Sequence, residues 1–111
     1  MNVDTILIEN ERFLIKPKYS PNSIHELMQN IKEAVINNDY EDMIIDLSGF
    51  NLIYASQIGI LTGIQHFIKY PEGTLEIIVD SEEAKNMIVL LNIANARISV
   101  QSEKNVLLGI A

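Results

Sequence analysis

The stretch Asp46 to Gly63, DLSGFNLIYASQIGILTG, decides how the chain is read. It opens on the end of an apolar run, Met43-Ile44-Ile45-Asp46-Leu47, which fits a central strand buried on both faces. A polar turn follows at Ser48-Gly49, then an apolar step at Leu52-Ile53-Tyr54, then helical spacing expected to open at Ala55-Ser56-Gln57. A serine at such a junction would meet unpaired backbone N–H groups and the positive end of the helix dipole, where negative charge is favoured. Ile60, Leu61, Ile64, Phe67 and Ile68 are expected as the buried stripe of this helix.

Outward from that stretch, strands and helices alternate. Upstream, Thr5 to Glu9 and Arg12 to Lys16 are short apolar runs separated by Asn10-Glu11, a pair that suits a hairpin turn. Pro17 and Pro21 then delay a helix that Asn22 or Ser23 can cap. Its inward stripe is Ile24, Leu27, Met28, Ile31, Ala34 and Val35, and Asn37-Asn38-Asp39 end it. Downstream, Tyr70-Pro71-Glu72-Gly73 breaks the second helix, and Thr74 to Val79 is the next strand. Asp80 or Ser81 caps a third helix, with Ala84, Met87, Ile88 and Leu91 expected inward. Ile98 to Val100 is a last strand, and residues 103–111 carry no clear pattern. The expected order is β-β-α-β-α-β-α-β, a single α/β domain over residues 1–111. Its sheet should be mixed but mostly parallel, with right-handed crossovers and the opening pair as an added edge.

Composition narrows the function. The 111 residues carry no cysteine, which excludes disulfides and thiolate metal sites and makes a reducing, cytoplasmic setting the simpler expectation. No apolar run nears the roughly 20 residues of a membrane span, and the opening MNVDTILIEN lacks the basic region of a signal peptide. Net charge is −7, and only Arg12, Lys16 and Lys18 cluster, so neither nucleic acid nor an anionic membrane is an expected partner.

Catalytic motifs are scarce. His25 and His66 lie on different helices, without the third ligand a metal site needs. Asp42 and Asp46 fall on one face of a strand, but Asp46 beside Ser48-Gly49 is more simply a turn acceptor. Gly59 and Gly63 lie inside a helix with no lysine after them, unlike a phosphate cradle. No base stands near Ser56 in sequence, so an enzyme is not expected.

Ser56, Gly59 and Gly63 fall within roughly 60° of one another on the second helix. Two accounts are open. The glycines pack against a neighbouring strand or loop, or they form a smooth exposed ridge for a partner's backbone, rimmed by Tyr54 and Ile58.

IIDLSGFNLIYASQIGILTGI resembles the signature of the STAS domain, the fold of bacterial anti-sigma factor antagonists. In that family an apolar strand ends in Asp-Leu/Phe-Ser-Gly, matched by Asp46-Leu47-Ser48-Gly49. An Asp-Ser-Ser/Thr-Gly block and a Leu-Gly-containing helix follow. Ser56 falls on the second Ser/Thr and Ile58-Gly59 on the start of the helix. The likeness runs from about Thr5 to Val100, through Leu75 to Val79, Ala84 to Leu91 and Asn92-Ile93.

Tyr54, Ala55 and Gln57 stand where the family has an acidic residue, Ser and Gly. Asn92 or Asn95 stands near its late Gly, and Tyr19-Ser20-Pro21-Asn22 replaces its Gly-x-Leu-Asp element. The resemblance implies an anti-sigma factor antagonist working by protein–protein binding, without a cofactor of its own. Its partner would be an anti-sigma factor that is also a serine kinase, supplying ATP and magnesium and phosphorylating Ser56. Contact would run through Tyr54, Ala55, Gln57, Ile58, Gly59 and Gly63. The alternative is a STAS-like interaction or scaffold module without phosphorylation, which Tyr54 and Ala55 favour.

Overall fold

The computed structural model describes residues 3–9, 12–17, 24–37 and 39–101, with side chains for 12–17, 25–37 and 39–101. In chain order they form β1 (Val3–Glu9), β2 (Arg12–Pro17), α1 (Ile24–Asn37), β3 (Met43–Asp46), α2 (Leu52–Lys69), β4 (Leu75–Val79), α3 (Glu82–Val89) and β5 (Ala96–Val100). The turn expected at Asn10-Glu11, the cap at Asn22 or Ser23, and residues 103–111 lie outside the described residues.

The five strands form one sheet in the order β1-β2-β3-β4-β5. β1 runs antiparallel to β2, and the β2–β3, β3–β4 and β4–β5 pairs are parallel. Each parallel step moves one strand in the same direction, so right-handed crossovers put α1, α2 and α3 on one face. Alternate strand residues meet that layer: Phe13 and Ile15, Met43 and Ile45, Leu75 and Ile77, and Ile98 join Leu27, Ile31, Val35, Ile58 and Ile88 in one buried cluster. Phe13 also stacks on Tyr40, with ring centroids 5.5 Å apart.

Ile44 and Ile78 belong to the alternate set of strand positions and are also buried, so β3 is covered on both faces. Polar groups of that second face are paired. Glu76, buried on β4, takes an ion pair from Arg12 and a 2.7 Å hydrogen bond from Ser99 Oγ. Lys16 Nζ lies 3.0 Å from Asp46 Oδ2. A carboxylate withdrawn from water needs such partners.

The strand-and-helix order follows the sequence pattern, but two helix faces do not. In α3, Ser81 caps as expected, its Oγ accepting from Ala84 N at 3.2 Å. Ile88 is its buried residue, whereas Met87 and Leu91 are exposed. The helix stops at Val89, and Asn92 and Asn95 adopt positive φ of 51° and 58°. Asparagine enters this left-handed region more readily than most residues, so the chain turns there without glycine. The larger departure concerns α2.

Candidate functional site

The approach to α2 is built by two carboxylates, Asp46 and Asp80. Asp46 Oδ1 accepts from Ser48 N at 3.0 Å and from Ser48 Oγ at 2.6 Å, the turn-acceptor role expected from sequence. Gln101 Nε2 donates to Ser48 Oγ at 3.1 Å, tying the end of β5 to the same turn. Gly49 then takes φ +92°, and its N–H donates to Asp80 Oδ2 at 2.9 Å. A β-carbon at that φ would be strained, so glycine is required for the chain to swing from β3 toward the helix.

α2 begins three residues earlier than its apolar spacing suggests. Asn51 is the N-cap, with extended backbone, and its Oδ1 accepts from Tyr54 N at 2.8 Å. The next backbone bond runs from Ala55 N to Asn51 O at 2.8 Å. Ser56 is therefore the fifth helical residue rather than a cap, and a helix starting at Leu52 already uses its N–H in the i→i−4 ladder. The free N–H groups at the positive helix end lie a turn away from it. Leu52-Ile53-Tyr54 hid this start because an apolar triplet reads equally as strand or helix.

The helix is also turned over relative to the sequence expectation. Ala55, Ile58, Gly59, Thr62, Gly63 and His66 face inward. A β-carbon on Gly59 would meet Ile77 and Ile93 at 3.6 Å, and one on Gly63 would meet Ile93 Cγ2 at 2.2 Å. Of the two accounts of these glycines, packing within the domain is the one realised. Gly59 and Gly63 do not present themselves to solvent, so they form no exposed ridge with the half-buried Ser56, and Ala55 and Ile58 lie beneath the surface with them.

Ile60, Ile64, Phe67 and Ile68, expected inside, are instead exposed, Ile64 to 52% and Ile68 to 70%. Small residues let the helix approach the sheet and the Ile93 side chain closely. The two larger polar residues on this buried side bring their own partners. Thr62 Oγ1 donates to Ile58 O at 2.7 Å, and His66 Nε2 donates to Glu41 O at 2.6 Å.

Of the residues singled out from sequence, Tyr54 and Ser56 are half-buried and Gln57 is exposed. Ser56 lies on the flank of α2 between the inward Gly59 and Gly63 and the outward Ile60 and Phe67. Ile53, Ile60, Ile64 and Phe67 are surface residues that stripe-reading missed. A signal for them existed: from Leu52 to Ile68 there is no Asp, Glu, Lys or Arg.

No protein-family model, curated protein or solved structure matches the chain. The site therefore stands on its own geometry. His25 is exposed on α1 and His66 buried in α2, and no group of three or more metal-ligating side chains occurs among the described residues. Asp42 is separated from Asp46 by the length of β3, and its Oδ1 accepts from Thr74 N and Oγ1 at 3.1 and 2.8 Å. The two do not form an acid–base pair. No helix among the described residues is long and apolar enough to cross a membrane.

Proposed function

We propose that the chain is a STAS-like interaction module, an anti-sigma factor antagonist that binds an anti-sigma factor/serine kinase and is released when Ser56 is phosphorylated. The observation that carries this reading is the position of Ser56. The half-buried Ser56 sits at the edge of a charge-free apolar helix face, one turn into the helix that follows the Asp46-Leu47-Ser48-Gly49 junction. The order β-β-α-β-α-β-α-β and the mostly parallel sheet support the STAS-like class.

The contact surface differs from the glycine ridge. It comprises Tyr54, Ser56 and Gln57 with the outward Ile53 and Ile60. A phosphate on Ser56 brings about −1.5 to −2 charges at pH 7 to the rim of that surface. Docking would then bury a solvated dianion against apolar side chains, which costs more than the contact gains. Because Ser56 is off the helix end, solvent rather than free N–H groups stabilises the phosphate, and the domain stays folded.

Binding of the partner kinase to Ser56→Ala and Ser56→Asp tests this reading. The alanine variant keeps native affinity, and the aspartate variant loses at least about tenfold, roughly 1.4 kcal/mol. Equal binding by both variants contradicts the switch.

A second reading has its own support. Tyr54 packs against the core at the position where the family has an acidic residue, and Ser56 lacks free helix-end donors. A STAS-like scaffold module without phosphorylation fits these facts. It predicts tight partner binding that neither Ser56 variant disturbs.

A further inference from the structure

The outward face of α2 repeats with coiled-coil spacing. Ile53, Gln57, Ile60, Ile64 and Phe67 follow one another at intervals of four, three, four and three residues, and all five are exposed. That is the a/d seam of a helix prepared to pack against another helix. It lies on the side opposite the sheet-facing Ala55, Gly59 and Thr62, and among the described residues none of it belongs to the buried core cluster.

We infer that this seam pairs two copies of the chain, α2 against α2, about a two-fold axis. The first argument is area. Ile53, Ile60, Ile64, Phe67 and Ile68, with Leu91 beside them, are between 40% and 70% exposed. At about 150–200 Å² per side chain they present on the order of 500 Å² of apolar surface. A standard interface takes about 800 Å² from each partner, a little over half of it apolar, or about 450 Å². The face supplies that amount.

The second argument is charge. Each chain carries a net −7, so two copies can meet only where neither brings acid to the contact. Residues 52–68 carry no charged side chain, while a partner held by charge complementarity would find nothing there to pair with. The third is symmetry. Ile60 stands midway between Ile53 and Phe67, so an antiparallel two-fold pairing sets Ile53 against the partner's Phe67 and centres the contact near Ile60. A groove of about 230 Å³ between Ile60, Ile64 and Leu91 offers room for a side chain from the second copy.

The pairing of the unmodified chain rests on α2 alone and does not depend on Ser56 being a phosphorylation site. Where both occur, the second copy and the kinase compete for the upper part of one face.

Sedimentation of the full chain at about 100 μM, with Ile60→Glu and Ile64→Glu beside it, tests the inference. Both positions are exposed, so circular dichroism should show the fold kept in each variant. A dimer whose dissociation constant rises at least tenfold in both variants supports it. The absence of cysteine permits a second readout. Under mild oxidation Ile60→Cys should form a disulfide-linked dimer, and Asn86→Cys, exposed on α3, should not. A native chain that is monomeric at that concentration overturns the inference, even if the same face then captures a different protein. So does a dimer that both glutamate variants leave intact.

Discussion

At the residue scale, the two glycines of α2 have different roles although they share one side of the helix. Gly63 has Ile93 Cγ2 at 2.2 Å from where a β-carbon would stand, and that methyl is fixed to a branched carbon that cannot swing away alone. Gly63→Ala should therefore cost about 1–3 kcal/mol, read as a lower urea midpoint. Gly59 has only ordinary contacts at 3.6 Å. Gly59→Ala should be neutral or stabilising by up to about 1 kcal/mol, because alanine restores helix propensity. Stabilisation by both substitutions would mean that Gly63 is not packed against Ile93. Ile58, fully buried beside them, should cost about 2–5 kcal/mol on truncation to alanine, measured in the same denaturation series. Ile64→Ala, half exposed, should cost far less in a monomer.

At the scale of the element, the start of α2 is a matter of capping. Asn51→Ala removes the acceptor for Tyr54 N and should cost about 1 kcal/mol, whereas Ser56→Ala should stay within about 0.5 kcal/mol. Thermal unfolding of the two variants separates a helix that begins at Leu52 from one that begins at Ser56. The existence of each helix and strand was legible because its punctuation is chemical: Pro71 and Gly73 after α2, Ser81 before α3, unbroken Ile-Ile-Val in β4. The facing of α2 was not. A helix apolar around most of its circumference has no polar side to mark the outside, and the largest side chains then look like the core. What decides its orientation is the space left above β3 and β4 by Leu47, Leu75, Ile77 and Ile93, and those residues are brought together only by the fold. Asn51 was likewise hidden, since its capping role depends on where the Asp46–Ser48 turn releases the chain.

At the scale of the whole molecule, a small α/β layer leaves the outward face of one helix apolar and exposed. Its described residues offer no metal cluster, and the polar groups of the strand ends are spent on one another: Asp46 on Ser48 and Lys16, Asp80 on Gly49, Glu76 on Arg12 and Ser99. Among the described residues, the outward side of α2 is an exposed apolar face without charged side chains, and Ser56 stands at its edge. The proposed role of Ser56 as the switch on that face is open to intact-mass measurement. The chain is incubated with the proposed partner serine kinase, ATP and magnesium, and the modified peptide is sequenced. The expected result is a gain of one phosphate, about 80 Da, located on Ser56 and absent from Ser56→Ala. No gain, or a phosphate that Ser56→Ala retains at full stoichiometry, contradicts it.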